Sequence, residues 1–262
     1  MSVIKQHWPE YIMEATELAL FMLSACAFTV LLYHPSSPLF DNFPSEILRR
    51  GAMGIAMGST AIAIIFSPLG KRSGAHFNPA VTLTFLRLGK VDPWDAGFYI
   101  LAQFTGAITG IVVAMWLLGP AIADRHVNYA TTLPGPHGPL IAFVAEVLIS
   151  FILMSVVLRV SNTKRLARWT GVFAGTLVAT YITFESPLSG MSMNPARTFG
   201  SAFGASVWVS LWIYFVAPPL GMLLAAEIFT RGKSSAACAK YHHHNNHRCI
   251  FRCNFDSSTS TT

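Results

Sequence analysis

Charge is what this chain has least of. Lys, Arg, Asp and Glu make up 11% of its 262 residues, against about 25% in an ordinary soluble domain. So few charges cannot cover a water-facing surface, which sets aside a large soluble domain. Cysteine is scarce too: Cys26 stands alone in an apolar segment, and Cys238, Cys249 and Cys253 lie near the C-terminus. Nothing in that pattern suggests a disulfide framework. The apolar segments hold no Ser/His/Asp set, no His-Glu-x-x-His and no carboxylate pair at reacting spacing. No enzyme is read here, and no cofactor is expected. An N-terminal signal peptide is not expected either. The first ten residues are polar (Lys5, Gln6, His7, Glu10), and the following apolar run is full membrane length without a small-residue cleavage site.

What is present in excess is apolar sequence, 53% of residues, with a mean hydropathy of +0.49. A membrane-spanning helix needs about 20 such residues. Six stretches qualify: Ile12–Tyr33, Ile47–Ser67, Trp94–Gly119, Leu140–Val160, Trp169–Phe184 with its extension, and Val207–Thr230. Polar, Gly- and Pro-bearing loops separate them, notably His34–Pro44 and Pro120–Pro139. The net charge of +6 need not imply nucleic acid, because basic residues of membrane proteins gather on cytoplasmic loops. With an internal N-terminus, Lys5, Lys71, Arg72, Arg87, Lys90, Arg159, Lys164, Arg165, Arg168, Arg231 and Lys233 fall inside. Only Arg49, Arg50 and Arg125 fall outside, so both termini are expected in the cytoplasm.

Two further apolar stretches, Pro79–Leu88 and Pro195–Ala205, are too short to span. Each follows an asparagine and begins with proline. Asparagine is a good N-cap and proline suits the first helical position, so both read as short helices. At membrane depth they survive only if their free backbone groups are buried in protein or face a watery cavity. They also belong to a repeat. Ser73-Gly74 precedes Asn78-Pro79-Ala80 and Thr82; Ser189-Gly190 precedes Asn194-Pro195-Ala196 and Thr198. The two asparagines are 116 residues apart. Glu14 with Met22, and Glu146 with Met154, extend the match. Three spans plus a half-helix make one unit. An odd number of spans inverts the second unit, so the half-helices enter from opposite faces. The expected division is an N-terminus (1–10), a membrane domain (11–231) with repeats near 11–120 and 139–231, and a tail (232–262).

The paired Asn-Pro-Ala triplets in this setting resemble the aquaporin, or major intrinsic protein, family over roughly residues 10–231. The resemblance implies an all-α membrane protein with six transmembrane helices, two re-entrant half-helices and an inverted repeat. It also implies a passive channel for water, and for small uncharged solutes such as glycerol, that excludes protons and ions. A homotetramer in a plasma or bacterial inner membrane follows in the same way. Physically, two helix N-termini aimed at one point place positive potential at the membrane midplane. Asn78 and Asn194 could donate to a passing oxygen there. Arg197, directly after the second triplet, is a charge at membrane depth and hence a functional candidate. In the family it belongs to the outer constriction. The remaining constriction positions carry over by spacing as Met191, Ile182 and either Met57 or Gly58. Direct counting gives Gly58; a loop one residue longer than usual gives Met57, which also fits the order of a large residue before glycine.

This constriction differs from the family's water-selective pattern (aromatic, His, small, Arg) and from its glycerol pattern (two aromatics, Gly, Arg). Thr198, Ala202 and Tyr214-Phe215 resemble the aquaporin branch more than the glycerol branch. Glu14 and Glu146 are placed by the resemblance as supports of the half-helix loops, with Glu17 one turn away as an alternative partner. His76 is placed at the pore mouth. A coupled transporter or ion channel using these glutamates is the alternative function. The tail is unlike the rest. Cys238, His242, His243, His244, His247, Cys249 and Cys253 fall within sixteen residues there. His244, His247, Cys249 and Cys253 are the candidate metal ligands among them, but the spacing matches no standard zinc motif, and the expectation is disorder without a metal.

Overall fold

The computed structural model describes residues 2–232 and 234–255. Among them there are helices and no strands. The long helices are α1 (Ser2–Tyr33), α2 (Glu46–Phe66), α5 (Pro93–Leu118), α6 (Pro139–Ser161), α7 (Thr170–Phe184) and α10 (Leu211–Arg231). Between them lie four short ones: α3 (Pro68–Ser73), α4 (Pro79–Arg87), α8 (Ser186–Ser189) and α9 (Pro195–Ala205). Local chemistry sets their starts. Ser45 caps α2 by accepting from Leu48 N, and Asp92 caps α5 by accepting from Trp94 N. Proline occupies the first turn of α3, α4, α5, α6, α8 and α9, where its missing N–H costs nothing.

The order α1–α5 repeats as α6–α10. Within each unit the first and last helices pack together, α1 on α5 and α6 on α10. The units join where α2 lies along α7. Each half-helix crosses the seam: α4 packs on α10, and α9 on α5. The α2–α7 contact is nearly backbone to backbone. A Cβ on Gly58 would lie 2.5 Å from the Gly175 carbonyl oxygen and 2.9 Å from Ala179 Cβ. Gly58→Val is therefore expected to destabilise the fold by about 1–3 kcal/mol, read as a lower unfolding temperature in detergent. An unchanged temperature would argue against so close a seam.

Several boundaries differ from the sequence reading. The first helix begins at Ser2 rather than Ile12, because its polar turns find partners. Tyr11 donates to Asp95 at 2.6 Å, His7 Nδ1 sits 2.8 Å from the same carboxylate, and Arg72 pairs with buried Glu10 at 2.9 Å. The last helix begins at Leu211, not Val207. Four helices are long and apolar enough to cross a membrane by themselves: Val3–Tyr33, Pro93–Ala123, Pro139–Ser161 and Leu211–Arg231. The other two complete the bundle: α2 opens with Glu46, Arg49 and Arg50, and α7 has only 15 residues. Large apolar side chains such as Ile55, Leu101, Trp116, Leu140 and Val216 cover the outside of the bundle. That surface suits lipid or a neighbouring subunit rather than water.

Candidate pore

The half-helices meet tip to tip inside the bundle. Asn78 caps α4, its Oδ1 accepting from Ala80 N at 2.9 Å. Asn194 caps α9, accepting from Ala196 N at 3.1 Å and Arg197 N at 3.2 Å. Each amide also reaches across the seam. Asn78 Nδ2 donates to Met193 O at 2.7 Å, and Asn194 Nδ2 donates to Phe77 O at 2.7 Å. An amide NH2 carries two hydrogens. One is spent on the opposite loop, which leaves one per asparagine for a solute.

The loops leading into these caps have an uncommon backbone. Ala75 (φ 58°), Phe77 (φ 30°), Met191 (φ 53°) and Met193 (φ 53°) all lie at positive φ. Non-glycine residues there cost about 1–3 kcal/mol each and persist only when their surroundings hold them. Two buried carboxylates do so. Glu14 accepts from His76 N (2.9 Å) and Phe77 N (2.7 Å). Glu146 accepts from Ser192 N (2.6 Å) and Met193 N (2.8 Å). The loop starts are held similarly: Tyr99 donates to Ser73 O and Tyr214 to Ser189 O. Glu17, the alternative partner for the first loop, instead accepts from Ser73 Oγ at 2.6 Å. Gln103 adds a third donor to Glu14 at 2.7 Å. Nothing in the sequence singled out Gln103 or Tyr99, and Tyr214 stood out only as half of an aromatic pair, because only the packing brings the three to the loops.

A cavity of about 290 Å³ runs past both caps. Its walls are helix stripes spaced four residues apart: Phe21, Ala25 and Thr29 on α1; Met53, Met57, Ala61 and Ile65 on α2; Ala174, Val178 and Ile182 on α7. Met191 and Arg197 line it from the second loop and α9. Of the two α2 candidates, Met57 faces the cavity and Gly58 faces α7. Arg197 Nη1 is buried without a hydrogen-bond partner among the described residues. It is thus a donor with nothing to donate to except an occupant of the cavity.

His76 faces the same cavity at the end where Tyr241 lines it. Its Nε2 is 2.8 Å from Ala239 O; a carbonyl only accepts, so Nε2 carries the hydrogen. Its Nδ1 lies 3.0 Å from Thr82 Oγ1. The Ala239 contact reveals what the sequence reading missed. Residues 234–255 form no helix or strand, yet they are laid against this end of the cavity rather than free of the bundle. Tyr241 N donates to Gly74 O at 3.1 Å, and the Tyr241 ring lines the cavity. Phe251 stacks on His76 at 5.3 Å between centroids. Lys240 Nζ donates to Lys71 O at 2.8 Å, and burial lowers its pKa from the ordinary lysine value. The reason is that Ala236, Ala239, Tyr241 and Phe251 supply enough apolar surface to bury. Of the four tail residues named as candidates in the sequence, Cys249 and Cys253 gather with Cys238 and His243. His244 and His247 do not join them. His244 packs edge-on to Phe255 (5.1 Å), and His247 is exposed beyond a turn whose N–H bonds Asn245. Asp256–Thr262 and Lys233 lie outside the described residues.

Together these features define a class: a multi-pass membrane protein with an inverted repeat around a central polar-waisted cavity. The profile of the major intrinsic protein family matches residues 2–229. Aquaporin NIP2-1 of Oryza sativa subsp. japonica is 37% identical over 189 residues, 71% of this chain and 61% of its own length. Aquaporin NIP2-1 of Zea mays is 38% identical over 175 residues, 66% of this chain and 57% of its own. Aquaporin NIP2-3 of Zea mays is 37% identical over 224 residues, 84% of this chain and 72% of its own. The chain thus spans about three fifths of the two NIP2-1 relatives. The aquaglyceroporin from Plasmodium falciparum shares the fold, with a TM-score of 0.68 at 21% identity over 85% of this chain and 95% of that one. The chain belongs to the major intrinsic protein family.

Proposed function

We propose that the protein is a passive channel for water and small uncharged solutes such as glycerol, closed to protons and other ions. The observation that carries this reading is the pair of capping asparagines, each with one N–H uncommitted, at the opposed N-termini of α4 and α9. Two helix ends there contribute roughly half a positive charge each, which repels cations. A water that accepts from both asparagines cannot also pass a proton chain. Pro79, Ala80, Pro195 and Ala196 build these ends. Met57, Ile182, Met191 and Arg197 form the constriction, with three apolar walls facing one strong donor. Such a wall suits a neutral solute with an apolar edge, and methionine can yield to it. Glu14 and Glu146 act as loop supports. Each already accepts from at least three donors, which is support for a fixed acceptor rather than a proton carrier.

The assembly is a homotetramer with one pore per subunit. A surface groove along α2, lined by Ile47, Gly51, Ala52, Ile55 and Ala56, offers an apolar seat for a second copy. The membrane is a plasma or bacterial inner membrane. Both termini face the cytoplasm, where the basic loops favour them.

Paired stopped-flow assays test the reading, using protein from metal-free buffer in vesicles, one for water efflux and one for glycerol entry. Both fluxes are expected above those of empty vesicles. Asn194→Asp is expected to bring them down, because a carboxylate cannot donate to Phe77 O. Folded protein no more permeable than empty vesicles would end the channel reading.

A further inference from the structure

We propose that Cys238, His243, Cys249 and Cys253 form a tetrahedral zinc site, and that the ion fastens the C-terminal segment into the pore mouth as a closing plug. The four donor atoms lie within 4.8 Å of one another. Cys238 Sγ and Cys249 Sγ are 3.5 Å apart, and Cys253 Sγ and His243 Nε2 are 2.9 Å apart. Around a zinc ion with bonds near 2.3 Å to sulfur and 2.0 Å to nitrogen, tetrahedral donors stand roughly 3.5–3.8 Å apart. Shifts of an ångström or less would bring the set to that spacing. Three thiolates and one neutral imidazole are a zinc-favouring set, soft and closed to water. They would leave one net negative charge. Lys240, two residues after Cys238, has its Nζ held by Lys71 O (2.8 Å) and Arg248 O (2.7 Å) and brings a basic side chain to this segment.

The ligands bracket the segments that pack at this end of the cavity. Cys238 directly precedes Ala239, which binds His76, and Tyr241, which lines the cavity. Cys249 and Cys253 flank Phe251, which stacks on His76 and meets Tyr99 at 5.9 Å. An ion held by these four residues ties both segments together. The buried side chains of Ala236, Ala239, Tyr241 and Phe251 seat this stretch, which has no helix or strand, and metal binding would add to that order. The gating half of this proposal rests on the channel reading, whereas the metal site stands apart from it.

The test uses the full-length protein, purified reduced, exposed to zinc and desalted. Its zinc content is compared with that of a Cys249→Ser/Cys253→Ser variant of matched helicity and gel-filtration profile. One zinc per chain is expected in the parent and a small fraction of that in the variant. Cobalt in place of zinc is expected to give the intense visible absorption of a tetrahedral thiolate site. Equal zinc in parent and variant would overturn the site, as would a Cys238–Cys249 disulfide in the reduced, metal-loaded protein. In vesicles, a chelator or the double substitution is expected to raise water permeability several-fold over the zinc-loaded parent. Zinc bound with permeability identical before and after chelation would overturn the gate. If that shared value equals the empty-vesicle value, the channel reading falls too; if it is higher, only the gate does.

Discussion

Replacing Glu146 by alanine is expected to reduce water permeability to that of empty vesicles and to lower the yield of folded protein. The carboxylate accepts from Ser189 Oγ at 2.8 Å, Ser192 N at 2.6 Å and Met193 N at 2.8 Å. All three donors belong to buried residues, so the lost acceptor is not readily replaced. An unsatisfied buried donor costs about 1–3 kcal/mol, so three approach the total stability of an ordinary domain, about 5–15 kcal/mol. The loop also holds Met191 and Met193 at positive φ, and these three bonds to one carboxylate, with the Tyr214 and Asn78 contacts, oppose its relaxation. Once it relaxes, Met193 O no longer stands where Asn78 Nδ2 needs it. Glu146→Gln keeps one carbonyl acceptor and is expected to lose less. Native permeability in the alanine variant would mean that the loop is held by its packing alone.

Substituting Arg197 by valine is expected to act differently: water still crosses, and cation leak rises. Arg197 lines the cavity with Nη1 unpartnered, and no side chain neutralises it by an ion pair among the described residues. A unit charge at roughly 8 Å in a medium of effective dielectric about 20 raises a cation's energy by about 2 kcal/mol. Removing it corresponds to roughly a thirtyfold gain in cation or proton flux, at about 1.4 kcal/mol per factor of ten. Glycerol entry is expected to rise as well, because valine is smaller than arginine. Proton leak is measured with a pH dye sealed in the vesicles. No rise would assign cation exclusion to the helix ends alone.

Much of this was legible in the chain because it is local. Asn followed by Pro is a capped helix start wherever it occurs, and both triplets became caps of short helices. The stretches of about 20 apolar residues became helices for the same reason, since backbone groups in lipid have no other partners. The boundaries that moved did so through distant contacts. Ser2–Glu10 is helical because Asp95 and Arg72, far along the chain, satisfy its polar side chains. Met57 and Gly58 are adjacent in sequence and differ only in the side of α2 they occupy, so spacing could not separate them. Packing against Gly175 and Ala179 did.

The tail marks the limit most clearly. In sequence it is a biased, unpatterned run, and its ligands looked like His244, His247, Cys249 and Cys253. Of the seven His and Cys residues clustered there, the structure gathers Cys238, His243, Cys249 and Cys253, a choice the sequence could not make because chain without regular secondary structure has no fixed period from which side-chain direction can be read. Sequence by itself determined the six long helices, the duplicated half-helices and the identity of the polar groups at their tips, all set by bonds within a few residues. Tertiary structure alone decided that Asn78 and Asn194 brace each other's loops, that Glu14 rather than Glu17 holds the first of them, and that Tyr241 lines the cavity while Phe251 packs on His76 beside it. Those arrangements join residues from 62 positions apart (Glu14 and His76) to 175 (His76 and Phe251), and no local propensity specifies which of many buried donors meets which acceptor.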